Sequence, residues 1–308
     1  MAVASDAAMY EKMFLIRAFE ERVRDLFARG ELFGTTHPCV GQEATAVGVV
    51  SALEPGDIIT STHRGHGHFL AFTDDPGGLM AELMGKASGV CGGRGGSQHL
   101  HADNFYTNGI TGGMAVVGTG MALAEKQKEP GSIVASFIGE GALGQGALYE
   151  AMNIASLWDL PILYALENNL YAMSTGVGAS LAGDTLGRAR SLDIASRSIE
   201  ADDVADIRDA ALDACRLVRE ESRPFVLEMK TYRFLGHSLN DDCSYRTREE
   251  EAEWRARDPL AKLASRIDPG SRTEIEERCA RRIEKAVDDA HSAPVQDLAD
   301  IETGLWQS

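Results

Sequence analysis

The chain runs to 308 residues and carries 47 Asp and Glu against 30 Lys and Arg, a formal net charge of −17. That length can bury a substantial core, as one large α/β domain or two small ones, and it excludes a disulfide-stapled miniprotein. The acidic balance argues against nucleic acid, which needs locally clustered Lys and Arg, and the lack of ~18 successive apolar residues or a signal-like start argues for no membrane and a cytoplasmic location.

From about Tyr10 to Arg29, Phe14, Ala18, Val23, Leu26 and Phe27 recur at helical spacing, and Gly30 follows as a stop. A loop begins at Gly34, and Gly41-Gln42-Glu43 opens a small-residue helix over 44–53. Asp57 to Ser61 is a short buried strand. The stretch from Gly85 to Gly120 is predicted as loop, glycine-dense enough for backbone to approach a ligand closely. A flexible linker is the alternative, although Gln98, His99, His101 and Asn104-Phe105-Tyr106 interrupt it. Ile133 to Ile138 reads as a strand, Gly139-Glu140-Gly141 as a turn, Gly146 to Trp158 as a helix, and Pro161 to Leu166 as the next strand.

That βαβ unit is apolar without alternation, so both faces of its sheet are covered. The predicted fold class is α/β, a doubly wound, mainly parallel sheet with helices on both faces. A helix around Ile207 to Arg219 leads to a strand at Phe225 to Met229. From Arg248 the chain is dense in Glu and Arg and reads as solvated helices, Glu249 to Glu253 included. Tyr149 and Trp158 are predicted core. The organisation expected is a main domain over 1–259 and a helical C-terminal extension over 260–308. Cys39, Cys91, Cys215, Cys243 and Cys279 form no CxxC pair and read as reduced thiols.

Ligands of open parallel sheets bind beyond the carboxyl ends of the strands. The turn after Ile138 carries Glu140 between glycines; the turn after Leu166 carries Glu167-Asn168-Asn169-Leu170-Tyr171, about 30 residues after Gly139 as one crossover requires. A carboxylate beside a carboxamide suits Mg²⁺ or Ca²⁺, and Mg²⁺ keeps places for phosphate oxygens. Gly141 and the helix start near Gln145 offer amides to an anion. Arg64 stands among His63, His66 and His68, a good anion site; zinc ligation by the same histidines, or no role at all, are the rival readings. His237 opens a polar segment to Arg248 that either orders over a phosphate or is an exposed connection.

Gly139-Glu140-Gly141 followed by Asn168-Asn169 resembles the thiamine-diphosphate motif, usually G-D-G and then N-N. Gly41-Gln42-Glu43-Ala44, Ser61 to Gly67, Gly92 to His99 and Tyr232 to Ser238 accompany it in order. Together they resemble the alpha subunits of heterotetrameric 2-oxo acid dehydrogenase first components, the pyruvate, branched-chain and acetoin branches, from about Met9 to Pro259. The resemblance implies thiamine diphosphate with Mg²⁺, or Mn²⁺ or Ca²⁺, held by Glu140, Asn169 and the Tyr171 carbonyl. It places Arg64 and His237 on the diphosphate, His63 toward the cofactor, and the backbone of Gly109, Ile110, Gly112, Gly139, Gly141 and Ala142 against it. His66 and His237 would flank the reacting centre as catalytic residues.

The same resemblance implies a small 2-oxo acid or acetoin as substrate and a beta subunit, which supplies the acid for the aminopyrimidine in an α2β2 heterotetramer. The acyl unit would pass to a lipoyl domain or a lipoyl/acyl carrier protein. Two-carbon transfer from a ketose or hydroxypyruvate-like donor to a carrier protein is the alternative. Two positions depart from the family. Glu140 replaces the usual Asp, from which a shifted metal preference is expected; Asp241-Asp242 replaces Asp-Pro, which removes a rigid φ constraint. Readings from other classes are a nicotinamide oxidoreductase and a silent scaffold. Gly139 to Gly144 spells G-x-G-x-x-G, but Glu140 would repel a pyrophosphate without metal.

Overall fold

In the computed structural model, which describes residues 5–32, 34–128, 131–297 and 299, helix α1 (Asp6–Ala28) starts where Ser5 accepts a hydrogen bond from the Ala8 amide at 3.3 Å. It buries Met13, Ile16, Phe19, Val23 and Leu26, with Phe14, Ala18 and Phe27 half-buried at its margin. There follow α2 (Glu43–Val50), β1 (Ile58–Ser61), α3 (His66–Thr73), α4 (Pro76–Leu83), β2 (His101–Ala102), β3 (Phe105–Thr107) and α5 (Gly113–Lys126). Next come β4 (Val134–Gly139), a 3-10 turn (Glu140–Gly144), α6 (Gly146–Leu157), β5 (Ile162–Asn168), β6 (Tyr171–Ala172), β7 (Thr175–Gly176), α7 (Val177–Ser180) and α8 (Gly187–Ser191). The chain continues through β8 (Ala195–Glu200), α9 (Val204–Glu221), β9 (Phe225–Lys230), α10 (Arg248–Ala256), α11 (Pro259–Ala264) and α12 (Pro269–Ser292).

Seven strands form one sheet in the order β2-β3-β1-β4-β5-β9-β8, parallel throughout except for β2 against β3. Alternate residues of the central strands enter two different cores. Ala135, Phe137, Leu163, Ala165 and Leu227 pack with α1, α2 and α9, while Val134, Ile138, Ile162, Tyr164 and Val226 pack with α5 and α6. This is the doubly wound sheet read from the apolar runs, and each buried Val, Leu, Ile or Phe among them stabilises by about 1.5–3 kcal/mol relative to exposure. Helix α12 adds Cys279, Ile283 and Val287 to the first core. Half-buried Arg17 pairs with Glu43 and Asp258 and so ties α1 to α2 and to the start of α11.

The structure corrects several sequence expectations. The stretch from Gly85 to Gly120 is not one loop: β2 and β3 cross it and α5 begins at Gly113. Strand β8 went unread because Ala195-Ser196-Arg197-Ser198-Ile199-Glu200 is a polar edge strand, half-buried or exposed throughout. Trp158, expected in the core, caps α6 at 48 % exposure, and Tyr149 is half-buried with its hydroxyl donating to the Leu143 carbonyl. Within the acidic run of α10, Glu250 is no solvated bystander: it accepts from the hydroxyls of Tyr171 (2.8 Å) and Tyr232 (2.6 Å).

Candidate active site

Strand ends from β1, β4, β5 and β9 open on one cavity of about 510 Å³, a volume typical of small-ligand sites. Of the residues singled out in the sequence, His63, Arg64, Glu140, Asn169, Tyr171 and His237 line it, as do the chain segments at Gly109 to Gly112 and Gly139 to Ala142. His66 does not.

The cation side follows from parallel pairing. Register between β4 and β5 sets Gly139 beside Glu167, which brings the two loaded turns together. Glu140 is 3 % exposed and accepts from the Asn169 amide at 3.1 Å. Burial pushes its carboxyl pKa up, against the lowering effect of the Asn169 amide, so a charged Glu140 calls for a counter-ion. Asn168 turns away and donates to Glu228 at 2.8 Å, which leaves Asn169 as the carboxamide on the cavity wall. A buried carboxylate and an amide oxygen are a hard-cation donor set and fit Mg²⁺ chemistry.

The anion side rests on two buried arginines. Arg64 donates to the carbonyls of Pro38 (2.7 Å) and His237 (3.0 Å), and Arg233 donates to the Met173 carbonyl (2.9 Å). Among the described residues neither has a carboxylate partner and the Nε of Arg233 has no hydrogen-bond partner. Burial and the facing Arg233 pull Arg64 down to about 10. Two desolvated cations on one wall are costly unless an anion joins them, so the cavity fits a phosphate-bearing ligand. Sequence reasoning passed over Arg233 although it stands in the Tyr232 to Ser238 segment; its place just beyond β9 was the available signal.

A third imidazole, His37, was also missed. Its ring lies 4.6 Å from His63 and 4.8 Å from His237, centroid to centroid, and one ring nitrogen from each lies within 4.8 Å of the others. This is not a ready zinc set. The Nδ1 of His237 faces the guanidinium nitrogens of Arg64 (3.3 Å) and Arg233 (3.1 Å), which can only donate, so Nδ1 accepts and Nε2 carries the hydrogen. Burial, joined by neighbouring His63 and Arg64, holds His37 down to about 2. Burial with Arg64 brings His63 to about 3 and His237 to about 4, so all three rings are neutral at pH 7. The zinc reading of His63, His66 and His68 fails on geometry: His66 turns to Glu20 and Ser97, and His68 to Ser61 and Glu167.

Beyond His237, Asp241 accepts from the amides of His237 (2.6 Å) and Cys243 (2.9 Å) and from the Tyr245 hydroxyl (2.8 Å). The carboxylate thus ties the turn that lacks proline. Arg246 closes the far side, its guanidinium over the rings of Tyr232 (4.6 Å) and Tyr171 (5.2 Å).

Fold and donor set together define a doubly wound α/β domain with a cleft at its strand ends whose lining suits an anion and a hard cation together. The Dehydrogenase E1 component family matches residues 11–299. The chain is 38% identical over 307 residues to the pyruvate dehydrogenase E1 component subunit alpha of Zymomonas mobilis, covering 96% of this chain and 87% of the relative. It is 37% identical to the subunit alpha of acetoin:2,6-dichlorophenolindophenol oxidoreductase from Bacillus subtilis (97% and 93% covered), and 37% identical to the pyruvate dehydrogenase E1 component subunit alpha of Rhizobium meliloti (97% and 89%). The chain belongs to the dehydrogenase E1 component family, an enzyme family that implies thiamine diphosphate. The comparisons set aside the nicotinamide and scaffold readings, and the relatives' names fit a dehydrogenase rather than two-carbon transfer to a carrier protein.

Proposed function

We propose that this chain is the alpha subunit of a thiamine-diphosphate-dependent dehydrogenase component that cleaves the bond next to the carbonyl of a pyruvate-type 2-oxo acid or of acetoin. One observation carries the reading: buried Arg64 and Arg233, without carboxylate partners, share a cavity with buried Glu140 and Asn169. That juxtaposition suits a diphosphate bridged to the protein by a divalent cation. The cofactor, when bound, supplies the carbanion chemistry.

This chain's residues bind and orient. Arg64, Arg233 and the Nε2–H of His237 donate toward the diphosphate, and Glu140, Asn169 and the Tyr171 carbonyl hold Mg²⁺, or Mn²⁺ or Ca²⁺. The backbone of Gly109, Ile110, Gly112, Gly139, Gly141 and Ala142 shapes the cofactor's bed, and His63 reaches toward it. His237, neutral, would be the catalytic imidazole of this chain. His66 acts from behind the wall, as a positioning residue.

The partners we assign are a beta subunit, in an α2β2 heterotetramer, and a lipoyl domain or lipoyl/acyl carrier protein that takes the acyl unit. α5 and α6 expose Val116, Val117, Leu157 and, at the cap of α6, Trp158, apolar positions suited to an obligate neighbour. The main domain over 1–259 and a C-terminal extension over 260–308, of which 298 and 300–308 lie outside the described residues, remain our division of the chain, and five free cysteines fit a reducing, cytoplasmic compartment. The test is co-expression with the partner subunit, followed by cofactor titration and substrate-dependent reduction of an electron-accepting dye. Cofactor binding with no turnover of either 2-oxo acids or acetoin would sink the substrate class.

A further inference from the structure

The glycine-rich stretch between α4 and β2 was read as backbone that approaches a ligand, yet it meets the cavity only at Gln98. It closes instead around Glu82, the penultimate residue of α4. Four amides donate to this one buried carboxylate: Cys91 (2.7 Å) and Gly93 (2.9 Å) to Oε2, Gly95 (2.6 Å) and Gly96 (3.1 Å) to Oε1. Successive amides turned on one point form the kind of nest that loops offer to phosphate, and here the chain's own carboxylate fills it. Gly93 permits the closure: its φ is +72°, and a Cβ there would stand 2.5 Å from the carbonyl carbon of Gly85.

A second tie follows immediately. The Ser97 hydroxyl lies 2.9 Å from Nε2 of His66, whose Nδ1 lies 3.2 Å from Oε1 of Glu20 on α1. His66 and Glu20 are fully buried, so this relay fastens Ser97 to the first core. Gln98 comes next, half-buried on the cavity wall. Its Nε2 reaches the Thr35 carbonyl at 3.4 Å, and its Oε1 occupies the space where a side chain at Gly109 would begin, 2.3 Å from an ideal Cβ. The carboxamide therefore spans two segments of the rim, and Thr35 places it on the wall that also carries His37.

We propose that Gln98 binds an oxygen of the small carbonyl substrate, and that the Ser97–His66–Glu20 relay and the Glu82 amide nest are the positioning devices that hold it at the rim. The proposal rests on the reading of this cavity as the thiamine-diphosphate site. A carboxamide donor fixed by a rigid segment contributes to substrate binding, so loss of its support appears in KM rather than kcat.

The experiment uses the co-expressed holoenzyme, with KM and kcat from dye reduction and cofactor affinity from calorimetry. Ser97→Ala is expected to raise substrate KM roughly five- to tenfold, the effect of one lost hydrogen bond, with kcat and cofactor affinity within about twofold. Ser97→Thr, which keeps the hydroxyl, restores KM. Gln98→Ala raises KM alike, and Ser97→Ala combined with Gln98→Ala is no worse than Gln98→Ala alone, because the serine acts through the glutamine. An unchanged KM in Gln98→Ala, or multiplying effects in the double variant, overturns the proposal; Gln98→Ala decides it even if Ser97→Ala assembles poorly. A parent holoenzyme that fails to bind thiamine diphosphate overturns the proposed function instead.

Discussion

Arg233 shows what a single residue adds to a site. Among the described residues its buried Nε has no hydrogen-bond partner and no carboxylate pairs with its guanidinium, which Glu140 and Asp241 influence only at longer range, so a ligand anion would add to its stabilisation. Arg233→Met is expected to weaken thiamine diphosphate about 10–100-fold by calorimetry, the range for charged hydrogen bonds, while the melting temperature of the cofactor-free protein holds or rises. Glu140→Ala is expected to abolish the divalent-cation dependence of cofactor binding, and Glu140→Asp to retain it with an altered Mg²⁺ to Ca²⁺ ratio. Equal metal dependence in Glu140→Ala and the parent removes Glu140 from the ligand set. The buried imidazoles give a pH signature. His37, His63 and His237 stay neutral down to about 2, 3 and 4 when folded, against the ordinary 6.5. Such groups bind fewer protons folded than unfolded, so the stability they contribute is whole above about pH 6.5 and is lost as pH falls toward 4. His63→Gln should flatten part of the fall in melting temperature across that window; an identical slope would contradict the assignment. Glu140 and Asn169 were legible because one βαβ crossover fixes their separation. Arg233 and His37 were not, since nothing local links residues that meet only through the sheet order. His66 was misplaced because spacing does not reveal that α3 turns it toward α1.

At the scale of elements, strands buried on both faces were readable and polar or short ones were not. β4 and β5 announce themselves as apolar runs, whereas β8 pairs through its backbone and leaves Ser196 and Ser198 half-buried or exposed. The glycine-rich segment misled for a physical reason. Amide nests look alike in sequence whether they wait for a ligand's anion or for a glutamate nine or more residues upstream in α4. Helix packing supplies its own test. A Cβ on Gly48 of α2 would stand 2.5 Å from Cγ2 of Ile207 on α9, so Gly48→Val is expected to destabilise by about 1–3 kcal/mol through overpacking. The measurement is a lower denaturant midpoint with an unchanged slope.

The whole molecule carries a net charge of −17 yet gathers two arginines and three neutral histidines around one cavity. Those arginines face Glu140 and Glu167 across the same cavity, a charge layout that suits an anion and a cation bound together. The exposed apolar residues of α5 and α6 are where we expect the partner subunit to dock. Leu157→Arg is expected to reduce assembly with the beta subunit, read as a loss of the heterotetramer by light scattering, while leaving the circular dichroism of the alpha chain intact. The central claim, a diphosphate held by Arg64 and Arg233 and bridged by a cation on Glu140, is tested most directly by titrating thiamine diphosphate into the co-purified complex with and without Mg²⁺. The expected result is one site per alpha chain, dependent on Mg²⁺ and lost in Arg64→Ala. Binding that survives both Mg²⁺ removal and Arg64→Ala, or no binding by the intact complex, would contradict it.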